Sequence, residues 1–577
     1  MTRFQLLISG AAAAALMAGI AIAQERAPVT QAAAPKPDTL LTKAVEADVA
    51  QTDEQLLNAG QDQDNWRLHG RDYFNQSYSP LTQITPENVT KLRPSALIQT
   101  GIANSFEATP IVVNGIMYIS TAMDHVQAYD AVTGRIKWSF NPEIIYTDVC
   151  CGPQSRGVAV AYGKVFLARL DGKVTALDAK TGAVVWSAEQ KDILPEPTHY
   201  YSFTMAPQVY DGMVIVGNSG AEYPTRGFVE ALDANTGKLI WRFHTLPSPD
   251  QPGGKGAWSE DSWKYGGGSV WNTPAIDPKN GIITFAVGNP NPDYNGEFRK
   301  GNNLYTDSIV GIHAKDGTVA WWYQQVPHDL WDYDAVSPTM MFDVKDKTGK
   351  TVPAVGEGGK IGYVYILNRI TGKLIYQSEP FSKQSANKFQ VPTETPIIRY
   401  PGINGGALWS PPAFSPLTQS FYIVGEDHAY STFTRPMERY VPGMKTVGQV
   451  TGGSQRANFE PFPATGTVTS IDVNSGKINW QWRSDMPMYG GALATGSNLL
   501  FAGEMNGNFD AFDARTGKKL WEYYMGIGVC SSPITYRVNG VQYVAVSGAG
   551  CARSTDIGQL VQPQYGDTIA IFSVPNP

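Results

Sequence analysis

The sequence predicts an all-β protein, an eight-bladed β-propeller. Two observations carry that prediction: a recurring phrase A-x-D-x-x-T-G-x-x-x-W and a composition suited to short strands joined by turns. Four close copies, AYDAVTGRIKW, ALDAKTGAVVW, ALDANTGKLIW and AFDARTGKKLW, carry their glycines at Gly134, Gly182, Gly237 and Gly517. Three looser copies, GIHAKDGTVAW, YILNRITGKLIY and SIDVNSGKINW, carry theirs at Gly317, Gly372 and Gly476. Each reads as a hairpin: an alternating strand enters an Asp-x-x-Thr-Gly turn, glycine supplies the positive φ, and a second strand leaves with an aromatic residue. That aromatic, usually tryptophan, is expected to wedge between neighbouring blades. Strand-like sequence over 96–119 and 541–574 lies outside the seven copies and supplies an eighth blade closed by the two ends of the chain; seven blades is the alternative. The 58 glycines, 39 prolines and 17% charged residues suit turns and buried strands. A single core rarely exceeds about 250–300 residues, but a ring of repeats spreads 577 residues over many small ones.

In chain order, residues 1–23 read as a secretory signal: Arg3, then a run of Ala, Leu, Ile and Met, then the small-residue ending Ala21-Ile22-Ala23. The run is short for a membrane span, Gln24-Glu25-Arg26 does not resemble a stop-transfer flank, and no cysteine stands near the cleavage point to take a lipid. A soluble mature protein of the periplasm, without a membrane anchor, is the expectation. Residues 24–60, rich in Ala and Pro towards their start, read as a flexible segment whose best helix candidate is 53–58; the propeller domain is assigned to 61–577. Long gaps before Gly317 and Gly476 predict insertions over 245–305 and 380–465 that build the rim of one face.

A net charge of −7 with no basic run argues against nucleic acid as a partner. No C-x-x-C-H occurs, so no c-type haem is attached covalently and electrons must leave on a separate carrier. Cys150 and Cys151 are adjacent; a disulfide between them would make a flat, rigid, apolar plate, and two reduced chance neighbours are the alternative. Cys530 and Cys551 are candidates for a second, ordinary disulfide.

From Trp66 to about Val574 the chain resembles one family, the pyrroloquinoline quinone (PQQ) alcohol dehydrogenases, which include methanol and ethanol dehydrogenases. The resemblance rests on several long motifs in order: WRLHGRDYFNQSYSPLTQI with ENVTKL, CCGPQSRG, GNSGAEY, DSWKYGGGSVWNT, VGNPNP and PHDLWDYD. It implies oxidation of an alcohol with hydride passing to metal-bound PQQ, and electrons leaving to a separate carrier such as a soluble cytochrome c. Trp271, alone more readily a core residue, matches the family tryptophan that stacks on one face of the quinone, and the Cys150-Cys151 plate covers the other. Glu107, Arg156, Thr204, Ser219, Gly220 and Ala221 match the rim that binds its carboxylates and oxygens, where a guanidinium suits a carboxylate. Lys360, alone a solvated turn lysine, matches the cation beside the reactive carbonyls.

For the metal the resemblance implies hard oxygen ligands from Glu222, Asn289 and Asp332, and Asp332 also matches the base that takes the alcohol proton. Asp334 matches the additional aspartate of lanthanide-type members. Alternate residues of an extended segment point the same way, so Asp332 and Asp334 could converge on one ion, and with Glu222 they give three negative charges for a trivalent one. A lanthanide is favoured and calcium is the alternative; Asp334 turning to solvent or to a nearby lysine is the competing arrangement. Tyr489 stands where methanol enzymes have tryptophan, which suggests a wider pocket and a bulky cyclic or sugar-like secondary alcohol, for example a mycotoxin, as a second possibility. A non-catalytic propeller, like the outer-membrane assembly lipoproteins, is the rival from another class; it lacks this constellation and bears a lipidated cysteine.

Overall fold

The structure, a computed structural model, describes residues 45–144, 149, 151–189, 201–436, 452–457, 461–551 and 565–575. Among these, the strands form eight four-stranded antiparallel sheets, one of them extended by a short fifth strand that pairs parallel, and a separate three-stranded sheet. The eight sheets are the blades. Blades 1 to 7 span residues 111–140, 159–189, 208–244, 275–324, 340–377, 413–484 and 492–524. Blade 8 joins Ile534–Val538, Val541–Gly548 and Gly566–Ser573 to Arg93–Asn104, which pairs antiparallel with the last strand of the chain. The repeat phrase occurs seven times because the outer hairpin of blade 8 is the one that the chain ends interrupt.

The repeat turn follows from its residue types. In blade 1, Asp130 Oδ1 accepts the N–H of Val132 at 3.1 Å, the N–H of Thr133 at 2.9 Å and the Thr133 hydroxyl at 3.0 Å. Gly134, at φ +69°, donates back to the Asp130 carbonyl at 2.9 Å. A side chain there would be strained by the backbone angle. It would also be blocked at five seams, because the indole of one blade lies flat on the turn glycine of the next. A Cβ on Gly182, Gly237, Gly317, Gly372 or Gly517 would fall 2.4 to 2.7 Å from Trp138, Trp186, Trp241, Trp321 or Trp480. Each of these indoles donates Nε1–H to a carbonyl of the next blade: Ala179 (3.1 Å), Ala234 (3.2 Å), Ala314 (3.0 Å), Arg369 (3.0 Å) and Ala514 (3.0 Å). The wedge expected of the tryptophans is therefore a specific lock, in which glycine makes room for a ring and the ring satisfies a turn carbonyl. At the closing seam Tyr536 of blade 8 donates to the Ala131 carbonyl of blade 1 at 2.5 Å, and Ile98 rather than an indole lies over Gly134.

Two expectations are corrected. The segment read as flexible over 24–60 is anchored in its last part: Gln51 and Ala50 accept the N–H groups of Tyr162 and Gly163, Val45 N–H donates to Lys180, and the helix Asp53–Leu57 buries Leu56. Residues 1–44 lie outside the described residues. The insertions read over 245–305 and 380–465 are interrupted by blade strands, Ala275–Asp277 with Ile282–Val287 and Ala413–Ser415 with Ser420–Asp427, which carry no repeat phrase. The second insertion holds the three-stranded sheet Ile397–Arg399, Ala429–Thr434 and Gly452–Ala457. Among the described residues no helix is long and apolar enough to cross a membrane.

Blade connectivity decides where chemistry can gather. In an up-and-down sheet the start of the first strand, the end of the second and the start of the third lie on one face of the ring; the Asp-x-x-Thr-Gly turns lie on the other. Every site residue predicted from sequence falls in a segment leading into a first strand or joining a second strand to a third.

Candidate active site

Those segments enclose a cavity lined by Cys151, Arg156, Thr204, Ser219, Gly220, Glu222, Trp271, Asp334 and Lys360, together with Gln154, Ser269, Leu408 and Trp409. Cys151 is disulfide-bonded and sits at φ +68°; Cys150 lies outside the described residues. The Cys151 sulfur lies 4.0 Å from Glu222 Oε1. On the rim, Arg156 pairs with Glu107 at 3.0 Å and donates to Thr204 Oγ1 at 2.7 Å, and both carboxylate and guanidinium are buried. Ser219 Oγ meets Ser202 Oγ at 2.8 Å, and Gly220 and the buried Ala221 carry the chain round to Glu222. The Arg156 guanidinium lies 4.6 Å from the Trp271 ring centroid and 5.5 Å from that of Trp409.

At the acidic end, Lys360 Nζ lies 2.6 Å from Asp332 Oδ1 and 3.0 Å from Asp334 Oδ1, with all three residues buried. The lysine pairing weighed as the competing arrangement for Asp334 is thus present, and the same ammonium holds Asp332 as well. Burial opposes the Lys360 charge, yet Asp332 and Asp334 outweigh it and hold the ammonium above its ordinary range. Burial, reinforced by Asp334 and opposed by Lys360, pushes Asp332 well above the usual carboxylate range. Asp332 has φ +64°, a strained position for a residue with a side chain, and the Asp329 carboxylate shapes this turn by accepting the N–H groups of Trp331 and Tyr333, each at 3.0 Å. Asn289 is 1% exposed, and its Oδ1 has no hydrogen-bond partner. A buried amide oxygen left so is costly unless something electropositive meets it. Among the described residues no group of three or more acidic, histidine or cysteine side chains is placed to hold a metal ion, so Glu222, Asp332 and Asp334 do not by themselves form a three-carboxylate site.

The sequence profile of the PQQ "glucose/ethanol/alcohol dehydrogenase, beta-propeller domain" matches residues 66–383 and 483–544. This chain belongs to the PQQ alcohol dehydrogenase family. It is an oxidoreductase of quinoprotein type, and alcohols are its substrates. It is 34% identical over 510 residues to the quinohemoprotein alcohol dehydrogenase ADH IIB of Pseudomonas putida, covering 83% of this chain and 73% of that one. It is 32% identical over 561 residues to the lanthanide-dependent methanol dehydrogenase of Methylacidiphilum fumariolicum, covering 89% and 90%. The solved quinohemoprotein alcohol dehydrogenase ADHIIG of Pseudomonas putida HK5 superposes with a TM-score of 0.82 at 30% identity, covering 92% of this chain and 84% of that one.

Two features correct or extend the sequence reading of the quinoprotein site. Cys530 and Cys551 are both buried thiols rather than a disulfide; Cys530 Sγ meets Met505 Sδ at 2.9 Å, in a cluster beneath Trp409. Tyr489, taken as a determinant of pocket width, is 1% exposed and stacks behind Trp409 with ring centroids 5.5 Å apart, so Trp409 is the wall that faces the cavity. Sequence reasoning missed Trp409, although a signal existed: GGALWSPPAF around Trp409 repeats the spacing of GGSVWNTPAI around Trp271, and each leads into the first strand of a blade.

Proposed function

We propose that this quinoprotein oxidises alcohols at a metal centre held by Glu222, Asn289, Asp332 and Asp334, in the periplasm, with electrons leaving to a soluble cytochrome c. The observations that carry the reading are a cavity lined by Cys151, Glu222, Trp271, Asp334 and Lys360, the two aspartates gathered at Lys360, and a buried Asn289 amide oxygen without a hydrogen-bond partner, next in the chain to Gly288, which lies against Asp334 and Trp271. PQQ bound there supplies a two-electron acceptor for the hydride of the alcohol. Trp271 and the Cys150-Cys151 pair hold its faces, and Arg156, Glu107, Thr204, Ser219, Gly220 and Ala221 hold its rim. Asp332 is the carboxylate that would take the alcohol proton. Lys360 would supply a positive charge to offset the negative charge that a bound quinone gains.

The three carboxylates Glu222, Asp332 and Asp334 favour a trivalent lanthanide, and a relative at 32% identity carries the name lanthanide-dependent methanol dehydrogenase. Calcium is the alternative. Residues 1–23 act as the export signal and 61–577 carry the propeller, against which residues 45–57 are anchored. The substrate reading extends to a bulky cyclic or sugar-like secondary alcohol: Trp409, rather than Tyr489, is the side chain whose size would set this. Metal titration of PQQ-loaded protein tests the centre. Wild type is expected to bind and be activated by lanthanide in preference to calcium, and Asp334→Ala to lose that preference; a wild type that prefers calcium, or a mutant with full lanthanide affinity, contradicts the role of Asp334.

A further inference from the structure

The proposed metal ligands sit on separate loops, Asn289 in the segment after Ile282–Val287 and Asp332 with Asp334 in the segment before Met340–Lys345. Something must set both the direction of the Asn289 amide and the relation between the two loops. An amide has unlike ends, and only its oxygen can serve a hard cation. Asn289 Nδ2 donates to Asp293 Oδ1 at 3.1 Å and, more weakly, to the Pro290 carbonyl at 3.4 Å. With the nitrogen committed to Asp293, the oxygen is left partnerless on the other side of the amide.

Arg299, 1% exposed, links the loops. Its Nε and Nη2 donate to the Pro292 carbonyl at 2.9 and 2.8 Å, and Nη2 also reaches the carbonyls of Asp293 at 3.2 Å and Asp329 at 2.5 Å. Nη1 is fixed by Asn303 Oδ1 at 2.8 Å. Asp329 in turn holds the backbone on both sides of Asp332. One planar guanidinium therefore spans the turn carrying Asp293 and the turn carrying Asp332, which a flexible ammonium could not do in the same geometry.

We propose that Asp293 and Arg299 are positioning residues of the metal centre: Asp293 fixes which end of Asn289 faces the ion, and Arg299 fixes the separation of the two ligand loops. The inference rests on the metal-centre reading above. Outer partners that orient a metal ligand typically contribute about 10- to 100-fold in affinity. The test is terbium binding to PQQ-loaded protein, followed by tryptophan-sensitised luminescence, for wild type, Asp293→Asn, Asp293→Leu and Arg299→Lys. Asp293→Asn keeps an acceptor for the Asn289 amide and loses the charge, so it should stay within about threefold of wild type while Asp293→Leu falls by about 10- to 100-fold. Arg299→Lys should lose about tenfold or more. Equal loss in Asp293→Asn and Asp293→Leu would overturn the orienting role in favour of charge alone, and wild-type affinity in Asp293→Leu or Arg299→Lys would overturn the corresponding half. Asp293→Asn decides the point even if the leucine variant does not fold, because a loss of tenfold or more in it is incompatible with the proposal. Absence of terbium binding in wild type would instead sink the metal-centre reading, and this inference with it.

Discussion

Asp332 joins chemistry to backbone strain in one residue: it occupies φ +64° and presents its carboxylate to Lys360 at 2.6 Å. Asn tolerates left-handed backbone well, so Asp332→Asn removes the proton acceptor while keeping the turn. The account expects alcohol oxidation by the PQQ- and metal-loaded enzyme to fall by about 10²- to 10⁴-fold, the usual contribution of a general base, with the melting temperature little changed. Steady-state rates and thermal melts on the same preparation check this, and a variant retaining more than a tenth of wild-type turnover would remove Asp332 from the base's role. At this scale the sequence was legible where residues sit in long motifs, as Glu222, Trp271 and Asp334 do, which the structure brings to one cavity. Asp293 and Arg299 were not, because their interest lies in which atom of a neighbour they hold. A string of residue types does not encode that. Tyr489 failed for a related reason: a position facing the cavity in one arrangement of loops stands behind Trp409 in this one.

The blade is the element on which stability depends, and the indole lock is its joint. Trp241 is 7% exposed, lies on Gly317 and donates to the Ala314 carbonyl at 3.0 Å. Trp241→Ala should cost about 3–5 kcal/mol, from a cavity between blades 3 and 4 and a turn carbonyl left without its donor. Chemical denaturation would show an early-melting transition, and a loss under 1 kcal/mol would mean that the seams are held otherwise. Blade 7 carries a second, pH-dependent feature. Burial, with Glu504 beside it, raises the Asp510 carboxyl to about 8. An unfolded aspartate titrates near ~4, so across that window the folded protein keeps a proton that the unfolded chain has lost, and stability falls as pH rises, by at most about 1.4 kcal/mol per pH unit. Asp510→Asn should therefore melt above wild type at pH 8, with the advantage shrinking towards pH 4; an advantage independent of pH would contradict the buried titration. The hairpins and their tryptophans were plain in the sequence because turn chemistry is local. The inner strands of blades 4 and 6 were hidden inside apparent insertions, since they lack the repeat phrase and are recognisable only by the sheets they join.

For the whole molecule, the ring is closed by Arg93–Asn104 against Gly566–Ser573, so the first and last strands of the fold share one blade. Closure brings loops from distant parts of the chain, those of Arg156, Trp271, Lys360 and Trp409 among them, to one face and one cavity. That a closed ring was needed could be read from seven copies and two unclaimed ends. That the rim of the cavity would be completed by Trp409 required knowing which face each loop leaves from. The account's central claim is that this cavity turns over alcohols through PQQ and a metal ion. The measurement that tests it most directly is alcohol oxidation by purified protein with an artificial electron acceptor, assayed with PQQ and metal each added or withheld and across primary, secondary and cyclic alcohols. The account predicts turnover only when both are present, and none when NAD replaces PQQ, for no strand-turn-helix dinucleotide fingerprint occurs in the sequence. Turnover that persists without PQQ, or that depends on NAD, would contradict it.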